Sequence, residues 1–107
     1  MEAAAFALPA VTKVVQWGGS DVYKVGGKVF AICGLGSGLS FKTTEIGFMA
    51  LTEGGPGRRA PYLSQGNWVA VDMDEIGSSD LVDWLATSHQ LMAAKLTRAR
   101  RRELGLA

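Results

Sequence analysis

Cysteine and histidine are almost absent from this sequence. There is one of each, Cys33 and His89. A single cysteine excludes an internal disulfide and any zinc site built from several cysteines, and a single histidine excludes a metal site that needs two. The low cysteine content fits a reducing compartment. We therefore expect a cytoplasmic protein that holds no metal and no cofactor.

Net charge and long apolar runs are also lacking. Eleven lysines and arginines stand against ten aspartates and glutamates, a net charge of +1, so overall charge favours neither nucleic acid nor a membrane as partner. No run reaches the roughly 18 apolar residues of a membrane span. The apolar residues 3–8 follow Glu2, lack a basic segment and stop at Pro9, which argues against a secretory signal. A chain of 107 residues predicts one domain, residues 1–107.

The strongest local pattern predicts a β-hairpin. Two β-prone runs, residues 22–25 and 28–33, are joined by Gly26 and Gly27. Glycine adopts positive φ without strain, so this pair predicts a two-residue turn. The expected register pairs Val25 with Lys28, Lys24 with Val29 and Tyr23 with Phe30. Tyr23 and Phe30 then share one sheet face, and Lys24 points to the other.

Two more strands and two short helices are predicted around the hairpin. Residues 39–42 alternate apolar and polar side chains, and residues 67–72 are apolar on both faces, as in a covered central strand. Residues 2–8 favour a short helix. A second helix is capped by Thr43 or Thr44. Its apolar side chains recur at helical spacing, at Ile46, Met49 and Ala50.

The C-terminal part of the chain predicts one long helix. Ser78 or Ser79 supplies an N-cap. The apolar stripe that follows consists of Leu81, Leu85, Met92 and Leu96. The helix then continues into a basic tail, residues 95–107. This order of elements predicts an α+β fold, an antiparallel β-sheet with N-terminal, middle and long C-terminal helices packed on one face.

The basic tail has two interpretations. Its cations are Lys95, Arg98, Arg100, Arg101 and Arg102. They suit contact with nucleic-acid phosphates, because each neutralised phosphate releases counterions and adds affinity. They equally suit a solvated helix end whose cations complement the helix dipole. Composition alone does not decide between the two.

Three further segments are weighed and interpreted as ordinary structure. Residues 34–38 are glycine-rich but lack the dinucleotide-binding spacing and precede a strand, so we expect a hairpin loop. Residues 54–59 combine glycines with two arginines and could cradle an anion, although a surface loop is preferred. Residues 72–83 follow a calcium-loop spacing, but Ile76 and Asp83 are unsuitable at the fifth and twelfth positions. We interpret them as a strand end and a helix N-terminus.

No residue pair in the sequence predicts catalysis. A nucleophile pair of Cys33 and His89 would need the cysteine on its strand to meet the histidine, so we expect Cys33 to be a small buried residue and the protein not to be an enzyme. Trp17, Trp68 and Trp84 would stack on bases if exposed, but tryptophans in a small domain are more often core anchors.

Several segments together resemble the MmcQ/YjbR family of small bacterial proteins. The most specific are the Val-Gly-Gly-Lys hairpin followed by Phe-Ala, residues 25–31, and the Pro-Tyr pair at residues 61–62 shortly before a tryptophan strand. The other matching segments are residues 8–12, 17–18, 22–24, 39–42, 68–69 and 88–96. The resemblance implies a compact α+β domain comparable to CyaY and frataxin, with a DNA-binding role.

The resemblance also assigns individual residues. It makes Lys24, Lys28 and Lys42 the family's sheet lysines and Trp68 its strand tryptophan. Many members carry basic or histidine residues just before that tryptophan, whereas residues 64–67 here are Ser-Gln-Gly-Asn. A basic site there is therefore not expected.

These observations predict sequence-nonspecific DNA binding through phosphate contacts, with no membrane partner. The contacts are expected on Arg98, Arg100, Arg101 and Arg102, with a second patch formed by Lys24, Lys28 and Lys42. No recognition helix with base-reading side chains on one face is seen, so base readout is not expected. Two alternatives stay open. One is a protein-interaction module that uses the sheet or an edge strand, and the other is a small-ligand domain with an apolar cleft near Trp17 or Trp68.

Overall fold

The computed structural model of the protein describes residues 2–16, 19–34, 38–60 and 66–106. The helices and strands that the sequence predicts follow one another in the predicted order, and the elements that were not predicted are described below. In chain order they are α1 (Glu2–Phe6), β1 (Val11–Gln16), β2 (Ser20–Val25), β3 (Lys28–Cys33), β4 (Gly38–Lys42), α2 (Glu45–Thr52), β5 (Gly57–Arg59), β6 (Trp68–Asp72), a short 3-10 helix (Met73–Glu75), α3 (Ser78–Ala93) and α4 (Arg98–Glu103).

The strands form one antiparallel sheet in the order β1-β2-β3-β4-β6-β5. The long helix α3 packs across β2, β3 and β4, α1 packs on α3, and α2 packs on β5 and β6. This architecture confirms the predicted α+β fold. Among the described residues, no helix has the length and apolar character needed to cross a membrane.

The main core lies between the sheet and α3. Its buried side chains from the strands include Tyr23, Val25, Leu39, Phe41, Val69 and Val71. Leu85 and Met92 from α3 meet them, as the predicted helical stripe requires. Trp84 stacks on Phe41 with ring centroids 5.2 Å apart, so this tryptophan is a core anchor.

The opposite face of the sheet is also buried near its centre. Trp68 and Ala70 pack with Ala60 and the half-buried Val29. Val22, Ile32 and Ser40 are fully buried as well. Because Trp68 is 8% exposed, it is a packed side chain rather than an open stacking platform. Trp17, the other residue proposed near a ligand cleft, lies outside the described residues.

Two strands in the sheet were not predicted. β1 is an edge strand whose Val15 is 60% exposed, so its side chains show no alternation between a buried and a solvated face. β5 has three residues, Gly57–Arg59, inside the segment interpreted as a surface loop. A strand at the edge of a sheet, or one of only three residues, lacks the alternating apolar pattern by which strands are recognised in a sequence.

The predicted hairpin turn is confirmed, but its register is right only near the turn. Gly26 and Gly27 both have positive φ, at 57° and 85°. Val25 pairs with Lys28 and Lys24 with Val29, as predicted, whereas Tyr23 pairs with Ala31 rather than Phe30. A β-bulge makes Phe30 the extra residue. Phe30 and Tyr23 nevertheless both lie in the helix-side core.

The bulge exposes a carbonyl that α3 satisfies through Ser88. The Ser88 hydroxyl donates to Phe30 O at 2.5 Å and accepts from the Lys42 main-chain N–H at 2.9 Å. β3 and β4 are paired from Cys33–Leu39 to Ala31–Phe41. Ser88 therefore bridges the two strands just beyond their last paired residues.

The second helix is confirmed, with a correction to its buried face. Thr44 is the N-cap, and its side chain accepts from Gly47 N at 3.0 Å. The predicted apolar positions face outward, because Ile46 is 81% and Met49 51% exposed. The side chains that pack on the core are Phe48 and Leu51 instead.

The prediction of one continuous C-terminal helix is wrong. α3 ends at Ala93, and α4 is a separate helix with Thr97 as N-cap, whose side chain accepts from Arg100 N at 3.1 Å. Gly105, with φ of 74°, follows the last turn. Its N–H bonds to Arg102 O, and Leu106 N bonds to Arg101 O at 2.8 Å, the pattern of a Schellman motif. The tail therefore has its own start and stop signals.

Two buried serines test the bridge between β3 and β4. Replacement Ser88→Ala leaves a buried carbonyl and a buried N–H without their partner, so we expect the free energy of unfolding to fall by about 1–3 kcal/mol. Ser40 is also fully buried, but its hydroxyl has no hydrogen-bond partner among the described residues. Replacement Ser40→Ala is the matched control and should leave stability unchanged or raise it. Urea titration measures both, and equal losses would contradict the bridging role of Ser88.

Candidate nucleic-acid interface

The basic tail folds back onto the hairpin turn. A Cβ atom built at Gly26 would lie 2.6 Å from Leu96 Cδ1 and 3.0 Å from Leu104 Cδ1, so both leucines sit directly on the turn. Leu106 packs against the main core. The tail is thus a separate helix packed beside the turn that precedes Lys28, and Arg100, Arg101 and Arg102 lie in its last turn rather than at the end of the long helix.

The arginines of α4 are available to a partner. Arg98, Arg100 and Arg102 are exposed, and Arg101 is half-buried. Arg100 forms an exposed ion pair with Glu103 at 3.3 Å. Within the described part of the chain, no ion pair involves Arg98, Arg101 or Arg102. Four arginines and one glutamate give α4 three net positive charges.

Lys42 ends β4, and Lys95, the residue that precedes Leu96, follows the end of α3. Burial, and then the positive charge of Lys95, lower the pKa of Lys42 below its ordinary value. Lys42 Nζ lies over Gly66, where a Cβ would approach it to 2.7 Å. The end of β4 lies against α3, because the Lys42 main-chain N–H donates to the Ser88 hydroxyl.

The remaining predicted lysines lie at the same end of the molecule. Tyr23 and Val25 point into the core, so Lys24 faces the other side of the sheet, as predicted, and Lys42 shares that side because Phe41 is in the core. One strand separates them, which places their backbones about 10 Å apart. Lys28 is exposed and pairs with Val25 next to the turn on which α4 packs.

Acidic side chains gather at the opposite end. β6 begins beside Lys42 and runs to Asp72, and α3 then returns toward Lys95. The connection and the start of α3 carry Asp72, Asp74, Glu75, Asp80 and Asp83. Asp72 ends β6 and Asp80 lies in the first turn of α3, as predicted, whereas Asp74 and Glu75 lie in the 3-10 helix between them. The N-cap of α3 is Gly77 rather than Ser78 or Ser79, so that prediction is wrong. Within the described residues, no group of three or more His, Cys, Asp or Glu side chains is suited to a metal.

The other candidate sites are occupied by contacts within the protein. Arg58 pairs with Asp72 at 3.2 Å, and Arg59 lies 4.7 Å above the Phe48 ring, so neither is an open anion cradle. His89 Nε2 lies 2.8 Å from Pro9 O, and its ring meets Phe30 edge-on.

Cys33 and His89 do not form a nucleophile pair. Phe30, which His89 contacts, is about 10 Å along β3 from Cys33, at roughly 3.3 Å per residue. Cys33 is half-buried rather than fully buried, and burial together with nearby Asp21 raises the pKa of its thiol. A raised pKa keeps the thiol protonated and poorly nucleophilic at neutral pH.

The comparison with protein families matches the YjbR model over residues 6–91. The chain belongs to the YjbR family. A search of curated proteins gives no match. The YjbR match covers the hairpin, the lysines at 24, 28 and 42, Trp68 and most of α3, and it ends before Lys95 and α4. Lys42 thus lies inside the matched region and Lys95 beyond it.

The effect of the Lys95 charge on Lys42 should cost stability at neutral pH. Folding lowers the pKa of Lys42 below 10.5, so between the two values the unfolded chain binds more protons and stability rises with pH. Replacement Lys95→Met removes one cause of the lowered pKa of Lys42. We therefore expect the variant to have a higher urea midpoint than wild type at pH 7. The difference should shrink as the pH approaches 10.5.

Arg58→Gln is the control for this measurement, because it removes the same charge from a residue paired with Asp72. This variant should not have a higher urea midpoint than wild type. A lower midpoint for Lys95→Met at every pH would contradict the repulsion between the two lysines.

Proposed function

We propose that this protein binds DNA without sequence specificity and without catalysis, through phosphate contacts at its basic end. The observation that supports this function is the packing of the arginine-rich helix α4 on the hairpin turn beside Lys28, at the end of the molecule where β4 ends at Lys42. The connection between β6 and α3 carries acids at the other end. The net charge of +1 is therefore the sum of a positively charged end and a negatively charged end.

The side chains at this end suit phosphate binding. Arginine presents a planar fork of donors that matches two phosphate oxygens, and lysine adds a compact positive charge. Arg98, Arg101 and Arg102 would not have to leave an ion partner among the described residues. The exposed pair of Arg100 with Glu103 contributes little stability, so exchanging it for a phosphate costs little.

The geometry favours contact with the backbone over contact with bases. α4 has six residues, a length of about 9 Å, and its leucines at 96 and 104 hold it on the hairpin turn. Its sequence, Arg-Ala-Arg-Arg-Arg-Glu, offers neither asparagine nor glutamine for reading adenine. The acidic end would be repelled by DNA, so the molecule would approach with its basic end first.

A second candidate function is supported by exposed apolar residues. Ile46 and Met49 on α2 are more than half exposed, and so is Val15 on the outer edge strand. Such positions suit a protein-interaction module. Association of that kind would depend weakly on salt, whereas phosphate binding depends on it steeply. The salt series described next separates the two.

Fluorescence anisotropy with labelled duplex DNA over a salt series tests the proposal. With about four phosphate contacts, the slope of log K against log salt should be roughly −3.6, at about −0.9 per contact. Replacement Arg102→Gln should weaken binding and reduce the magnitude of the slope by about 0.9. Arg58→Gln removes an equal charge at the opposite end and should change neither the affinity for DNA nor the slope. Single-stranded DNA in the same series reports whether a duplex is required.

Point variants are preferable to truncation of the tail. Leu104 and Leu106 pack on the hairpin and the core, so a truncated chain would lose stability together with charge. Absence of binding at low salt would overturn the proposal. Equal losses from Arg102→Gln and Arg58→Gln would show that net charge alone, and not α4, determines binding.

A further inference from the structure

The two edges of the sheet differ in how well they are protected from pairing with another chain. β5, at one edge, has three residues, follows Pro56 and carries Arg58 and Arg59. A short strand, a proline and charged side chains are features that keep an edge strand from pairing. β1, at the other edge, has six residues, contains no proline and pairs with β2 without a bulge. The outer side of β1 therefore presents a regular row of main-chain N–H and C=O groups.

The outer side of β1 is open. Among the described residues no strand pairs with it, and residues 12–15 are all exposed. Val14 is 39% exposed and Val15 60%. The two valines point to opposite faces of the sheet, because neighbouring residues of a strand alternate in direction. A strand added at this edge would cover both side chains.

Val14 also ends a row of buried side chains on the face of the sheet opposite α3. It pairs with Val22, Val22 pairs with Ile32, and Ile32 pairs with Ser40. These three partners are fully buried. Burial of this row is thus lost at β1, where Val14 has no strand on its outer side in the described part of the chain.

We propose that β1 pairs in antiparallel orientation with β1 of a second copy of this chain, so that the two sheets join across a two-fold axis. An exposed sheet edge accepts an added strand through main-chain hydrogen bonds. A two-fold pair uses the same surface on both copies, so an edge strand must be complementary to itself. The proposed dimer is independent of the basic end of the molecule and of DNA binding.

One register of β1 against itself has favourable side-chain pairs. Opposed residues of an antiparallel pair lie on the same sheet face, so the axis passes between two copies of one residue. An axis at either central residue, Lys13 or Val14, retains the most pairs. An axis at Lys13 places like charges opposite each other, which is destabilising. An axis at Val14 brings two valines together and places Lys13 opposite Val15 and Thr12 opposite Gln16.

The register centred on Val14 also gives complementary contacts on the face toward α3. It places Val15 of the second copy opposite Lys13, which pairs with Tyr23 in its own sheet. Phe6 is 46% exposed, and its ring lies 6.0 Å from that of Tyr23, so an apolar side chain stands beside the incoming valine. Asp21 pairs with Val15. Lys13 of each copy is therefore about 10 Å, main chain to main chain, from Asp21 of the other, a favourable arrangement of charge.

Sedimentation velocity of the full chain over a range of concentrations tests the dimer. One strand pair gives an interface below the roughly 1,000 Å² of a lasting complex, so we expect a reversible dimer whose population rises with concentration. Replacement Val14→Lys places two cations opposite each other at the axis and should weaken dimerisation about tenfold or more. Ile46→Lys is the matched control, because Ile46 is exposed on α2, which packs at the other edge of the sheet. It should leave the dimer unchanged.

Disulfide formation tests the register without depending on the charged variant. In a Cys33→Ser background, Val14→Cys places two thiols opposite each other, with Cβ atoms about 4.5–5.5 Å apart, and mild oxidation should give a covalent dimer. Thr12→Cys is the control on the same strand and face. Its two copies would be four residues apart along the paired strands, about 13 Å, which is too far for a disulfide.

Three results would overturn the proposal. One is a mass that stays monomeric up to about 1 mM protein. Another is a dimer that Ile46→Lys weakens and Val14→Lys does not, because α2 would then form the contact. The third is equal cross-linking of the Val14→Cys and Thr12→Cys chains. Concentration-dependent dimers weakened only by Val14→Lys, with circular dichroism unchanged, would support it whether or not DNA binds.

Discussion

The hydroxyl of Ser88 is the point on which the central part of the fold depends. It accepts one hydrogen bond from β4 and donates one to the bulged residue of β3, so a single side chain of α3 ties the helix to two strands where they stop pairing. Without that bond the bulge would leave the Phe30 carbonyl buried and unpaired, at a cost comparable to a lost hydrogen bond. Its hydrogen bond from the Lys42 main-chain N–H also holds the last residue of β4 against α3.

The arrangement of charge follows from chain direction. β6 runs away from the basic end and α3 runs back toward it, so residues at the connection and residues at the far end of the helix are kept apart by the length of α3. The acids stand near the positive end of the helix dipole and Lys95 near its negative end, which favours both groups. A protein of almost zero net charge can in this way present surfaces of opposite charge at its two ends.

Local signals in the sequence were sufficient for much of the fold and for little of the site. The glycine pair, the Thr44 cap and the stripe on α3 each depend on neighbours in the chain, and each is found in the structure. The carbonyl of the bulged Phe30 is bound by Ser88, 58 residues away, and the packing of Leu96 and Leu104 on Gly26 joins the tail to the distant hairpin. Pattern and spacing carry no information about such contacts. The separate helix α4 was a missed local signal, because Thr97 and Gly105 mark its ends.

The small size of α4 has a consequence for how the domain opens. A helix of six residues is not stable alone in water, so α4 keeps its shape only while its leucines rest on the hairpin turn. Amide hydrogen exchange in the tail therefore reports on undocking from the hairpin rather than on helix propensity. Detachment of α4 would convert a compact arginine-bearing helix into a flexible cationic segment while the sheet and α3 stay folded. The packing of Leu96 and Leu104 on Gly26 thus determines how far the arginine side chains can extend from the domain.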